Sequence, residues 1–106
     1  ANDDLRWLAE QLRDTGDYDN VVTSFLELAE PDISGGGSRC VERGAERVLM
    51  MPVFLSPGRH VNGDLTKARD ALATRFPDVE WQLCQPVGRH PMLVQIVADR
   101  LVESGD

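Results

Sequence analysis

Residues 48–55 read Val-Leu-Met-Met-Pro-Val-Phe-Leu, a nearly continuous apolar run in a chain of 106 residues. Such a run suits a central strand covered by helices on both faces of a sheet, because neither side of the strand is offered to water. It holds Pro52 and is far too short to span a bilayer. The remaining segments have to supply the covering helices and the neighbouring strands.

Leu5, Leu8 and Leu12 share one helical face, with Trp7 and Ala9 beside it, and predict a first helix over about 3–13. Asn2, Asp3 and Asp4 suit its start by capping and by opposing the helix dipole, and Gly16 suits its stop. Asp3 and Asp4 are therefore read as capping groups. A strand is expected over 20–28, then a helix from Pro31 and Asp32 to about Arg43. Gly35, Gly36 and Gly37 each cost about 1 kcal/mol relative to alanine in a helix interior, so the first half of that helix is expected to be frayed or irregular. After Gly44 comes the strand 48–55, and a loop over 56–62 leads to a helix of about fourteen residues. Leu65, Ala68, Leu72 and Phe76 form the buried stripe of that helix, and Pro77 marks its end. Val79, Trp81 and Leu83 alternate with Glu80 and Gln82, predicting a strand at the sheet edge with one polar face. Pro91 suits the first turn of a last helix whose Leu93, Val94, Val97, Ala98 and Leu101 are expected to cover the core.

The order α-β-α-β-α-β-α implies right-handed crossovers and one α/β domain over 1–106, with a mostly parallel sheet and helices on both faces. It opens on a helix with no strand before it, and three strands are poorly matched to four helices. The expectation is that a further N-terminal strand lies upstream of Ala1. The net charge of −7 and the lack of a Lys/Arg run argue against nucleic acid, whose phosphates need a concentrated basic surface. No membrane association is expected. Cys40 and Cys84 fit neither a metal motif nor a disulfide framework and read as reduced thiols of a cytosolic protein. Arg59 and Arg89 each precede a histidine in a Gly-containing loop, where a local cation could receive an anionic small molecule.

Strand ends of one polarity open onto one edge of a parallel sheet, where ligands usually bind. Glu27 ends the run 21–28 and His60 lies just past 48–55, so a carboxylate and an imidazole are expected to face one crevice. That pair suits holding a divalent transition metal or moving protons. Glu30 reads as a charge of the loop or of the start of the next helix, and His90 as the start of the last helix before Pro91.

The segments Phe25-Leu26-Glu27-Leu28-Ala29-Glu30-Pro31 and Pro52-Val53-Phe54-Leu55-Ser56-Pro57-Gly58-Arg59-His60-Val61 resemble the small sirohydrochlorin chelatases of CbiX type, class II tetrapyrrole metal chelatases. Gly44-Ala45-Glu46-Arg47-Val48 and Pro86-Val87-Gly88-Arg89-His90-Pro91 look like further segments of that family. The resemblance implies a flavodoxin-like half-domain that pairs as a homodimer around a tetrapyrrole. It also implies insertion of Co²⁺, the first choice, or of Fe²⁺ or Ni²⁺, into sirohydrochlorin for cobalamin or a related cofactor. The divalent metal is then a substrate, and no tightly bound cofactor is expected. Carried over by motif, Glu27 matches the family's functional carboxylate and His60 its second metal-site histidine. Arg59 is expected to meet substrate carboxylates, with Gly58 and Ser56 shaping the turn beside the macrocycle. The family's first histidine lies in a His-Gly-Ser-Arg loop after the first strand, and counting back places it before residue 1. Two rival readings are a chelatase-like protein that carries metal or tetrapyrrole without turnover, and a flavodoxin-like interaction module without a cofactor.

Overall fold

The computed structural model describes residues 2–26 and 29–105. Its elements are α1 (Asn2–Thr15), α2 (Ile33–Glu42), β1 (Arg47–Met50), α3 (Arg59–Arg75), β2 (Glu80–Leu83) and α4 (Met92–Gly105). β1 and β2 form a two-stranded parallel sheet, in register from Arg47 opposite Glu80 to Met50 opposite Leu83. Backbone pairing runs on beyond both strands. The Cys84 N–H donates to the Met50 carbonyl at 2.8 Å, and the Gly88 N–H donates to the Phe54 carbonyl at 3.0 Å.

The expected stripe of α3 is the centre of the core, with Leu72 2% and Leu65 6% exposed. α3 lies between β2 and α2 and packs on both. Trp81 closes the end of this layer: its indole Nε1–H donates to the Phe76 carbonyl at 3.2 Å, and the two rings stand 6.1 Å apart. Alternation in β2 is as expected, Trp81 and Leu83 half-buried between exposed Glu80 and Gln82.

α2 corrects the expectation of a frayed first half. It is helical from Ile33, capped by Asp32, whose carboxylate accepts the Gly35 N–H at 2.8 Å. The glycines are a packing requirement. A Cβ on Gly36 would collide with the Ser24 hydroxyl, and one on Gly37 would fall 2.9 Å from the Leu72 methyls. Close approach of the α2 backbone to its neighbours offsets the propensity that three glycines cost.

Three further expectations are corrected. No strand ladder forms over 20–26. Phe25 makes only an isolated parallel bridge with Asp32, its N–H donating to the Pro31 carbonyl at 2.9 Å, because a wide cleft separates this stretch from β1. α3 begins at Arg59 and absorbs most of the expected loop, with Gly58 as its N-cap. No residue of α4 is buried. Val94 is 74% and Leu101 67% exposed, since a two-stranded sheet is too narrow to offer α4 a face to cover. The radius of gyration, 15.6 Å, accordingly exceeds the value of about 13 Å for a compact domain of this length.

Candidate functional site

β1 and β2 run parallel, so the segments that follow them leave the sheet at the same edge. After β1 come Ser56, Gly58, Arg59 and His60; after β2 comes the loop 86–91. The tripeptide Gly-Arg-His occurs in both places, at residues 58–60 and 88–90. His60 stands in the first turn of α3 rather than in a loop, and both it and Arg59 are exposed. This turn is held from below: the Asn62 N–H donates to the Gly58 carbonyl at 3.0 Å. Ser56 is exposed beside it.

The second loop is pinned to the first. Val87 and Gly88 donate to the carbonyls of Pro52 and Phe54, and Gly88 lies so close to Leu55 that any Cβ there would overlap the Leu55 carbonyl. Only glycine permits that approach. Next to it, Arg89 takes a left-handed conformation with φ 63°. His90 caps α4 as expected, its Nδ1 accepting the Met92 N–H at 3.1 Å. That bond leaves Nε2 as the nitrogen free of the cap. Gly88 was not singled out from the sequence, although recurrence of Gly-Arg-His was the available signal.

Among the described residues, neither Arg59 nor Arg89 forms an ion pair; the four pairs involve Arg6, Arg47, Arg69 and Arg100. Two guanidinium groups, one at the start of α3 and one on the loop after β2, thus stand outside the ion pairs of the described residues, an arrangement suited to receiving carboxylates. Glu27 lies outside the described residues, so its expected convergence with His60 rests on sequence alone. Among the described residues no group of three His, Cys, Asp or Glu side chains is placed to hold a metal ion. No described helix is long and apolar enough to cross a membrane.

Cys40 on α2 lines the cleft beside β1, and burial pushes its thiol pKa up while nearby Arg43 opposes the shift. A thiol held neutral in this way is a packing group rather than a nucleophile.

The fold and sequence match known proteins. The sirohydrochlorin chelatase SirB from Bacillus subtilis subspecies spizizenii, solved in complex with cobalt, superposes with a TM-score of 0.87 at 26% identity, over 97% of this chain and 44% of that one. A CbiX protein of Marinobacter aquaeolei VT8 superposes with a TM-score of 0.74 at 28% identity, over 95% of this chain and 87% of that one. In sequence, the chloroplastic sirohydrochlorin ferrochelatase of Arabidopsis thaliana is 34% identical over 97 residues, 92% of this chain. The chain spans 43% of that relative's length, but 82% of the sirohydrochlorin cobaltochelatase of Methanopyrus kandleri, 27% identical over 92% of this chain. These likenesses fit a small α/β fold with a short parallel sheet flanked by helices. The CbiX family profile matches residues 1–104, and the chain accordingly belongs to the CbiX family of sirohydrochlorin chelatases, among the class II tetrapyrrole chelatases.

Proposed function

We propose that this chain is a chelatase subunit that inserts a divalent metal into sirohydrochlorin, with Co²⁺ as the preferred substrate and Fe²⁺ or Ni²⁺ as alternatives. The observation that supports it most is the position of His60, at the start of α3 on the edge where β1 and β2 both end, in a chain that superposes on SirB at a TM-score of 0.87. Metal insertion exchanges M²⁺ for two pyrrole protons, so the site has to hold a hydrated cation, strip its water and accept protons. His60 is an exposed imidazole with no hydrogen bond to another described residue, open to bind the incoming metal or to take a pyrrole proton. Glu27, assigned by motif, guides the cation or assists deprotonation. An imidazole and a carboxylate tolerate all three metals, so ligand type alone does not choose among them. Arg59 pairs with substrate carboxylates, and Gly58 and Ser56 shape the turn beside the macrocycle. The working unit in this reading is a cytosolic homodimer enclosing the tetrapyrrole.

Incubation of the protein with sirohydrochlorin and Co²⁺ tests the reading through the tetrapyrrole absorption spectrum, which should change faster than in a protein-free control. His60→Ala and Glu27→Ala should each lower the rate by about 100-fold, the scale of a lost proton-transfer or ligand group, with far-UV circular dichroism unchanged. Full activity in both variants removes these roles. Binding of sirohydrochlorin without acceleration points to a carrier of the same fold, and absence of binding to an interaction module.

A further inference from the structure

Residues 55–58 are a short bridge between two fixed parts of the molecule. On one side, the backbone from β1 to Phe54 is held by β2 and its continuation. The N–H groups of Cys84, Val87 and Gly88 donate to the carbonyls of Met50, Pro52 and Phe54 at 2.8, 3.3 and 3.0 Å. On the other side, α3 is anchored in the core through Leu65 and Leu72. The bridge itself has little freedom. Pro57 fixes its own φ and restricts Ser56 before it. The Pro57 carbonyl accepts from Asn62 Nδ2 at 3.4 Å, and the Asn62 carbonyl accepts from Thr66 Oγ1 at 2.9 Å. A displacement at Leu55 is therefore passed on to the first turn of α3, where Arg59 and His60 stand.

Gly88 rests on the start of this bridge. A Cβ there would meet the carbonyl oxygen, the carbonyl carbon and the Cα of Leu55. All three are backbone atoms, which cannot turn aside as the end of a side chain can. To reach ordinary contact the two segments have to part by on the order of 2 Å. The contact is between backbones, and the Leu55 side chain is 65% exposed. If residues 86–91 give way instead, Pro52 and Phe54 lose their donors and the bridge loses its held end. His60 is displaced or loosened in either case.

We propose that Gly88 is a positioning residue of the chelatase site: by docking the loop after β2 on Leu55, it fixes the course of 55–58 and with it the place of His60. The proposal rests on the chelatase reading of His60. Gly88 itself touches neither metal nor tetrapyrrole in this scheme, and its effect is geometric. An error of about 1 Å in a reacting group costs about 100-fold in rate. Arg59 is carried on the same turn, but its long side chain has the reach to follow a carboxylate, whereas a short imidazole has not. The loss is therefore expected in kcat more than in KM.

The test is a double-mutant cycle on the whole chain, with sirohydrochlorin and Co²⁺ as substrates. Gly88→Ala should lower kcat by about 100-fold when His60 is present and by less than about twofold in the His60→Ala background, because an absent group cannot be misplaced. A general structural defect lowers kcat by the same factor in both backgrounds. Parent-like kcat in Gly88→Ala, or equal losses with and without His60, overturns the proposal. If Gly88→Ala fails to fold by far-UV circular dichroism, Leu55→Gly loosens the same contact at an exposed position. Its kcat should fall by about tenfold, again only with His60 present, and an unchanged kcat overturns the proposal. A parent chain that does not turn over sirohydrochlorin fails the chelatase reading by itself. Co²⁺ alone then reads the positioning, through paramagnetic broadening of the His60 ring protons in NMR titrations. The variant should need about tenfold more Co²⁺ than the parent. An equal response in both proteins, or none in either, overturns the proposal.

Discussion

Gly37 of α2 and Leu72 of α3 touch where their helices meet: a Cβ on Gly37 would stand 2.9 Å from both Leu72 methyl carbons and 3.1 Å from Cζ3 of Trp81. Leu72 is the most deeply buried side chain described, so it has little room to yield. Gly37→Ala gains about 1 kcal/mol in helix propensity but overpacks this contact at a cost of about 1–3 kcal/mol. The expected net effect is a loss of about 1 kcal/mol in urea unfolding. Gly63→Ala on α3 meets no atom within 4 Å and should gain up to about 1 kcal/mol instead. Equal gains at both sites would show that α2 and α3 do not pack as described.

Asp32 carries the start of α2. Its carboxylate accepts the Gly35 N–H at 2.8 Å, in a helix whose third to fifth residues are consecutive glycines and which therefore leans on its cap. Asp32→Ala should cost about 1 kcal/mol and lower the melting temperature by about 5 °C, whereas Asp32→Asn should be nearly silent. Thermal unfolding followed at 222 nm, the usual helix wavelength, separates the two.

Much of this architecture was legible because it is written in local patterns. The stripe of Leu65, Ala68, Leu72 and Phe76 gave the buried face of α3, though not its start, and Val79, Trp81 and Leu83 placed β2, since periodicity reports the buried face directly. Gly35 to Gly37 misled, because helix propensity is a single-residue property and the reason for these glycines is Ser24 and Leu72 coming close from other elements. The failures at 20–26 and at α4 have a common origin. Both segments carry the apolar residues of sheet-packing elements, but a strand needs a neighbour and a helix needs a sheet face, and neither requirement is visible in the segment itself. At the candidate site, His60 falls in a helical turn rather than in the expected loop, because Gly58 starts α3 earlier than the composition of 56–62 suggests. Glu27 stays an assignment by motif.

Cys40 supplies a pH signature. Burial raises its pKa, with Arg43 opposing, so the folded state holds the thiol proton more tightly than the unfolded chain does. A raised folded-state value means the contribution to stability is fully present below the unfolded thiol pKa of about 8.5 and is lost as pH rises through the folded value. Unfolding free energy should thus fall more steeply with pH on the alkaline side in the parent chain than in Cys40→Ala. Parallel curves for the two proteins, measured by urea unfolding from neutral to alkaline pH, would mean that the thiol is no more buried than in the unfolded chain.

Arg89 combines a backbone cost with an exposed charge. Its φ of 63° is fixed by neighbours on both sides: Gly88 is bonded to Phe54, and the His90 N–H donates to the Val87 carbonyl at 3.2 Å. A left-handed conformation costs an L-residue about 1–2 kcal/mol, and glycine escapes this while losing about 0.5–1 kcal/mol more to unfolded-state entropy. Arg89→Gly should then stabilise the fold by about 0.5 kcal/mol, and Arg89→Lys should leave stability unchanged. If Arg89 meets substrate carboxylates in the proposed chelatase, the same Arg89→Gly variant should raise KM for sirohydrochlorin by about tenfold with kcat little altered, and Arg89→Lys should recover part of that loss. A variant that is more stable and binds substrate as well as the parent would assign the strain at Arg89 to the turn alone, and a fall in kcat at constant KM would instead place its charge at the reacting centre.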